Sequence, residues 1–207
     1  MDSYESRAYV VSLLADIIDY PHPGLAEEAA ECRALVADSS PDAAALLDVF
    51  IADLERIPAG KLEELYSGAF DLDTLSEFDA TCYPYVGHHL LGETYRRSRF
   101  MLGLLQRYRA FGYEVPAGEL PDHLLVMLRF LVRCTDEELA DELVGEALLP
   151  ALSRMTKDGE EAGLEGEGGR RIYLRVLEAV RLTLAEVLWP DIVPASYEAV
   201  SQPALAG

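Results

Sequence analysis

The chain has 207 residues, half of them apolar, which is enough for one substantial hydrophobic core and argues against global disorder. Seventeen lysine and arginine residues stand against 37 acidic residues, giving a net charge of −20. Because nucleic acids and anionic membrane surfaces would repel such a protein, both are disfavoured as partners, and basic peptides are favoured. On charge alone, an acidity that only keeps the protein soluble is an equally good interpretation.

The cysteines and the N-terminus predict a cytoplasmic protein. Cys32, Cys82 and Cys134 are widely spaced and form no C-x-x-C pair, so they predict neither a disulfide framework nor a thiolate zinc site. The first residues lack a basic leader followed by an apolar core, and apolar runs of about 18 residues do not occur. We therefore expect a protein that is neither exported nor membrane-spanning.

Helical spacing of apolar residues dominates the first 70 positions. It predicts a helix over residues 4–18 and a second that Pro23 can open. A third is capped by Ser40 and stopped by Pro58, and a fourth continues through Ala69. Between residues 70 and 91 the period weakens, although positions 74–77 carry a capping-box pattern. That segment is either a binding surface or an ordinary crossover connection, and the sequence favours neither.

Residues 92–134 contain the most informative pattern. A long amphipathic helix after Gly92 ends near Gly112, and five of its polar positions are arginines. Glu93 stands one turn before two of them and can pair with Arg96 or Arg97. A second helix follows, with Pro121 suited to its first position and acidic residues suited to its N-terminus.

The remaining chain is also predicted to be helical. Thr135 begins a capping box, and the helix that follows is kinked or interrupted at Pro150. Residues 158–169 are acidic and glycine-rich and predict a mobile loop, before a last helix over residues 170–188. Alternation typical of strands is missing from the sequence, so we predict an all-α, single-domain helical bundle over residues 1–188, followed by an extended tail over 189–207.

Catalytic and cofactor signatures are not found in the sequence. Neither H-E-x-x-H nor paired E-x-x-H spacing occurs among the four histidines, and the glycine-rich segment lacks the lysine of a phosphate-binding loop. We therefore expect no metal and no cofactor. Tyr83, Tyr85 and Tyr95 are candidate anchors for a peptide, although such tyrosines are as often ordinary core residues. Asp122 and His123 are candidate helix caps.

Several motifs, taken in order and spacing, resemble the NarJ branch of the TorD/DmsD/NarJ family of molybdoenzyme maturation chaperones. They are Asp19-Tyr20-Pro21, Tyr66-Ser67-Gly68-Ala69-Phe70-Asp71, Gly92-Glu93, Arg96-Arg97, Tyr108 with Gly112, Glu119-Leu120-Pro121-Asp122-His123-Leu124, and Phe130. The resemblance runs over roughly positions 8 to 188. One departure is Ser98, which follows Arg97 where the family usually continues with an arginine-glycine pair, and this leaves the identity of the client open.

The resemblance implies a non-enzymatic, cytoplasmic chaperone with the TorD/NarJ bundle. Such a protein binds the N-terminal segment of the catalytic subunit of a molybdenum oxidoreductase, either nitrate reductase or a related enzyme of the DMSO-reductase family. It supports insertion of the molybdenum cofactor before membrane docking or export. It has no cofactor of its own and no stable membrane association, and it is a monomer or a domain-swapped dimer.

The implied binding groove lies between the Glu119 to His123 element, the start of the preceding helix and residues 83–91. Its candidate residues are Tyr83, Tyr85, His88, Leu91, Glu93, Tyr95, Arg96, Glu119, Pro121, Asp122 and His123. Two other functions stay open from the residues themselves. One is a small helical enzyme that uses His123 with Asp122 or Glu119 as an acid–base pair. The other is a structural adaptor subunit.

Overall fold

A computed structural model describes residues 4–70, 83–161 and 169–194. Every regular element in these ranges is a helix, which confirms the predicted all-α fold. The α-helices are α1 (Tyr4–Ile17), α2 (Leu25–Val36), α3 (Pro41–Arg56), α4 (Ala59–Phe70), α5 (Val86–Leu91), α6 (Tyr95–Ala110), α7 (Leu124–Leu131), α8 (Glu137–Leu143), α9 (Leu149–Glu161) and α10 (Gly169–Leu182). Two π-helical segments, Val144–Leu148 and Thr183–Leu188, follow α8 and α10.

Helix α10 lies at the centre of the bundle and packs against α3, α4 and α9. Its residues Tyr173, Val176, Leu177 and Val180 are at most 1% exposed. Full burial of each such aliphatic side chain contributes about 1.5–3 kcal/mol to folding. Helix α1 packs against α2 and α7, while the short α5 packs against α6 and α9. These contacts position α5 and α7, the two short helices that the candidate site adjoins.

The start of α3 follows the sequence prediction. Ser40 is the N-cap, and its Oγ accepts a hydrogen bond from the Ala43 amide at 3.4 Å, while Pro41 occupies the first helical position. Ser40 is fully buried, and its hydroxyl also donates to Glu186 Oε2 at 2.5 Å. The cap therefore joins α3 to the second π-helical segment as well as starting the helix.

Other predicted helix starts are wrong by one to three residues. Helix α2 begins at Leu25 rather than Pro23, because Gly24 is its N-cap. Helix α7 begins at Leu124 and not at Pro121, and His123, one of the two predicted cap candidates, is its cap. Helix α8 is capped by Asp136 in place of Thr135. At the start of α7 the His123 side chain accepts a hydrogen bond from the Leu125 amide, and at the start of α8 the Asp136 side chain accepts one from the Leu139 amide.

The helix is irregular just before Pro150, as the sequence predicts, but it continues beyond the proline. The π-helical segment Val144–Leu148 joins α8 to α9 without a break, and Pro150, which has no N–H to donate, follows its wider turn. Helix α9 reaches Glu161 and α10 begins at Gly169, so the predicted loop over 158–169 is helical at both ends. Its positions 162–168, together with Cys82 and the capping box at 74–77, lie outside the described residues.

The chain after the last helix returns to the bundle. Trp189 is 6% exposed, and its Nε1 donates to Asp141 Oδ1 at 2.8 Å. Ile192 also packs against the core, so close to Gly145 that a Cβ there would lie 2.8 Å from the isoleucine Cγ2. Residues 195–207 of the predicted tail lie outside the described part. Cys32 and Cys134 are buried free thiols, and burial raises the pKa of Cys32 to about 12.

Candidate functional site

The site is built where the segment before α5 meets the segment before α7. Tyr85 and His123 form an isolated antiparallel bridge. On either side of it, the Val86 amide donates to the Asp122 carbonyl at 2.8 Å, and the Leu124 amide donates to the Pro84 carbonyl at 2.7 Å. Residues nearly 40 positions apart are thereby fixed to each other by backbone hydrogen bonds, which satisfy groups that the helix ends leave unpaired.

Gly87, in the first turn of α5, permits this approach. A Cβ built on Gly87 would lie 2.6 Å from Asp122 Oδ2, 3.1 Å from Phe100 Cδ1 and 3.2 Å from Arg97 Cγ. The first of these distances is shorter than any real Cβ contact. Asp122 is fully buried and ion-paired, so it cannot move aside easily. The close contact between α5, α6 and Asp122 therefore requires glycine at this position.

A buried ion pair joins α6 to the residues before α7. Arg97 Nε donates to Asp122 Oδ2 at 2.8 Å and Nη2 to Oδ1 at 3.4 Å. The Arg97 guanidinium also contacts Glu93 and lies 5.4 Å from the centre of the Tyr85 ring. Burial opposes the arginine charge, but the hydrogen bond to Asp122 and the charges of Asp122 and Glu93 outweigh it, so the pKa of Arg97 is raised.

A chain of polar and aromatic contacts continues outward from this pair. His88 Nδ1 donates to Glu93 Oε1 at 3.0 Å, and this hydrogen bond, with the charge of Arg97, lowers the pKa of Glu93. The ring of Tyr83 lies 4.4 Å from that of His88 and 5.0 Å from that of Tyr85, measured between centroids. Two of the three predicted aromatic anchors, Tyr83 and Tyr85, therefore contact each other and the ion-pair network.

Glu119 and His123 lie on the other side of Tyr85. The Tyr85 hydroxyl donates to Glu119 Oε1 at 3.0 Å, and the same oxygen accepts from the Leu120 amide at 2.8 Å. His123 stacks edge-on against Tyr85 with 5.2 Å between ring centroids. Its Nδ1 accepts from the Leu125 amide at 3.2 Å, which caps α7. Because an accepting nitrogen carries no proton, the ring is neutral with its proton on Nε2.

The environment of His123 agrees with that neutral form. Burial lowers its pKa below the ordinary value of 6.5, although the negative charges of Glu119, Asp122 and Asp19 act in the opposite direction. Its Nε2 lies 3.8 Å from Glu119 Oε2, which is beyond hydrogen-bonding distance. Pro121, between them in sequence, is buried, and its carbonyl accepts from the Tyr108 hydroxyl at 2.8 Å.

An open cleft of about 360 Å³ lies beside Glu119 and His123, between α7 and the loop that follows α6. Apolar side chains of that loop and of α7 line it, together with the charged residues Asp19 and Arg129. Of the eleven predicted site residues, only Glu119 and His123 line it. The full lining is Asp19, Tyr113, Pro116, Ala117, Gly118, Glu119, His123, Leu125, Val126 and Arg129.

The structure brings together most, but not all, of the predicted site residues. Tyr83, Tyr85, His88, Glu93 and the Glu119 to His123 element form one connected network. Leu91 instead packs against the core, Tyr95 is 79% exposed, and Arg96 is exposed.

The sequence interpretation missed two residues of the network. It placed Arg96 in the site, whereas Arg97 is the arginine that reaches Asp122, and it gave Gly87 no role. The Glu93 spacing allowed either arginine, and only the position of Asp122 decides between them.

Among the residues described, histidine, cysteine and carboxylate side chains form no group that could hold a metal ion. The helices of residues 4–70, 83–161 and 169–194 are too short or too polar to cross a membrane.

Comparison with known families identifies the chain. The model of the family described as nitrate reductase delta subunit matches residues 34–158, which include the whole network and the cleft apart from Asp19. The chain belongs to the nitrate reductase delta subunit family. The match covers more than half of the sequence and confirms the resemblance drawn from the motifs.

Two relatives are similar to the chain over part of their length. The chain is 26% identical over 143 residues to the nitrate reductase molybdenum cofactor assembly chaperone NarJ of Escherichia coli strain K12 and to that of strain O157:H7. The match covers 68% of this chain and 58% of each relative.

A solved structure supports the fold. The chain superposes on a redox enzyme maturation protein from Archaeoglobus fulgidus with a TM-score of 0.55 and 22% identity, covering 87% of this chain and 94% of that one.

Proposed function

We propose that the protein is a cytoplasmic, non-enzymatic chaperone for the catalytic subunit of a molybdenum oxidoreductase, nitrate reductase or a related enzyme. It binds the N-terminal segment of that subunit and supports insertion of the molybdenum cofactor before the enzyme docks at the membrane or is exported. The observation that carries the proposal is the delta subunit family match, because its residues 34–158 contain the preorganised network around Asp122 and the adjoining cleft. The NarJ relatives carry the name of such a chaperone.

The network and cleft are suited to holding a peptide. The buried Arg97 and Asp122 pair fixes the segment before α7, and the backbone bridge at Tyr85 fixes the segment before α5. A rigid surface with an apolar-walled cleft loses little conformational entropy when a peptide binds. Its acidic residues fit a basic segment, as does the net charge of −20. The eleven predicted residues, with Arg97, are the proposed contact or support residues of this surface.

The arrangement is poorly suited to acid–base catalysis. Asp122 is 0% exposed and ion-paired with Arg97, so a substrate cannot reach its carboxylate. His123 uses its Nδ1 lone pair to cap α7 and is not hydrogen-bonded to Glu119. A general base needs a lone pair directed at its substrate. The geometry therefore favours a binding role for these residues over the enzyme alternative.

Co-purification tests the proposal and separates it from an adaptor role. The tagged chain is expressed with the catalytic subunit of a molybdoenzyme encoded beside it, in cells that can and cannot make the molybdenum cofactor. A chaperone is expected to retain the cofactor-free subunit and to release the mature enzyme. Stoichiometric retention in the mature enzyme would indicate an adaptor, and absence of the subunit from both preparations would contradict the proposal.

A further inference from the structure

We propose that the cleft beside Glu119 and His123 binds the side chain of a basic residue, arginine or lysine, in the client's N-terminal segment. The aliphatic stem would lie on the apolar wall, and the cation would be received by Glu119 Oε2. This inference rests on the proposed function and deepens it, because it assigns one chemical group of the ligand to one part of the site.

The shape of the cleft fits a long side chain. At about 360 Å³ and open on one side, it is far larger than a bound water needs. Leu125 and Val126 of α7 line it together with Tyr113 and Pro116 of the preceding loop. Lysine and arginine bury their methylene stems along such apolar surfaces while the charged end seeks a polar partner. Glu119 and His123 are among the polar residues that line this cleft.

The charges around the cleft favour a cation. Arg129 is its only cationic lining residue among those described, and Arg129 Nη2 already contacts Asp16 Oδ1 at 2.6 Å and Asp19 Oδ2 at 3.2 Å. His123 is neutral in this geometry because its Nδ1 accepts the Leu125 amide hydrogen. Glu119 therefore adds a negative charge that none of these groups balances, and an anionic ligand would be repelled.

Glu119 presents an oriented acceptor to the cleft. Its Oε1 is held by the Tyr85 hydroxyl at 3.0 Å and the Leu120 amide at 2.8 Å. Its Oε2 lies 3.8 Å from Nε2 of the neutral His123, beyond hydrogen-bonding distance, so that oxygen keeps its capacity to accept a hydrogen bond. The side chain is 30% exposed, which leaves it within reach of a ligand. Charge-assisted hydrogen bonds to a fixed carboxylate are among the strongest available to a peptide.

A double-mutant cycle tests the assignment. Isothermal calorimetry measures binding of the client's N-terminal peptide, and of peptides in which each arginine is replaced by citrulline or each lysine by acetyl-lysine, one at a time. We expect one position at which neutralisation weakens binding to the wild-type chain about tenfold but changes binding to Glu119→Gln less than twofold. Equal losses to both proteins at every basic position would overturn the assignment.

Two further variants keep the test specific. Glu114→Gln removes a charge from an exposed position in the same loop that does not line the cleft, so the tenfold loss at that peptide position should persist. Asp19→Asn leaves Arg129 with one carboxylate partner and should weaken binding through the same position. Unchanged binding with Asp19→Asn would count against the inference, provided that circular dichroism shows a native helix content.

The proposed function and this inference fail differently. If the unmodified peptide does not bind the wild-type chain, both are contradicted. If the peptide binds, but neutralising each of its basic residues weakens binding to the wild type and to Glu119→Gln equally, the peptide-binding function stands and only the assignment of the cleft is overturned.

Discussion

Gly87 holds α5 against Asp122, and its missing side chain is part of the site. Gly87→Ala would place a Cβ 2.6 Å from Asp122 Oδ2, and the buried Asp122 cannot shift without weakening its pair with Arg97. We expect a loss of about 1–3 kcal/mol in the free energy of unfolding, measured by urea denaturation. Gly68→Ala in α4 is the matched control, since a Cβ there meets nothing within 4 Å, and it should be neutral or stabilising by up to about 1 kcal/mol. Equal effects of the two substitutions would contradict this account of Gly87.

The Arg97 and Asp122 pair is predicted to be the most sensitive polar contact of the site. Arg97→Met leaves the fully buried Asp122 carboxylate without its cation, which should cost about 3–5 kcal/mol of stability. Arg33→Met breaks an exposed pair with Asp48, at 2.9 Å, and should have a much smaller effect on stability, because solvent screens the pair.

The same denaturation series can separate charge from packing. Arg97→Met combined with Asp122→Leu should be less destabilising than Arg97→Met alone, because no buried charge is then left unpaired. If Arg97→Met lowers the free energy of unfolding no more than Arg33→Met does, the buried pair is not the sensitive contact that its burial predicts.

At the level of elements, the start of α7 combines helix capping with proton binding. His123 Nδ1 can cap the helix only while it is unprotonated, and burial lowers the pKa of His123 below 6.5. The unfolded chain therefore binds the histidine proton more readily than the folded one. The stabilising contribution of neutral His123 is complete above pH 6.5 and decreases as the pH falls below it.

His123→Asn tests this contribution, because asparagine can cap a helix but does not titrate. Stability of the two proteins is compared by urea denaturation from pH 8 to pH 5. Relative to the variant, the wild type should lose free energy of unfolding as the pH falls below 6.5. A difference between the two that stays constant over this range would show that His123 is not held neutral by the fold.

The elements also show which features the sequence can predict. Helix periodicity and the Ser40 cap are local, and α3 and the final helical stretch begin where the local pattern indicates. The predicted cap candidate His123 is confirmed as the cap of α7, but Pro121 and the acidic residues beside it satisfy the same local rules, so the local pattern could not decide between a start at Pro121 and one at Leu124. The contact of Gly87 with Asp122 joins residues 35 positions apart, and one sequence carries no local signal of it.

The whole molecule carries a net charge of −20, and the proposed ligand is basic. Long-range attraction should therefore speed association, and salt should weaken binding because it screens exposed charges beyond about 10 Å at 0.1 M ionic strength. We expect the dissociation constant of the client peptide to rise several-fold between 50 and 500 mM sodium chloride, mainly through a slower association rate in stopped-flow measurements. If salt does not change the dissociation constant, charge attraction does not contribute to recognition, and the apolar contacts alone account for it.

Calorimetric titration of the purified chain with the N-terminal peptide of a co-encoded molybdoenzyme catalytic subunit tests the central claim most directly. We predict a single site with a dissociation constant in the micromolar range or tighter. A scrambled peptide of the same composition should not bind with this affinity, and Glu119→Gln should weaken binding while native helix content is retained. Absence of binding by the native peptide, or equal affinity for the scrambled one, would contradict the account.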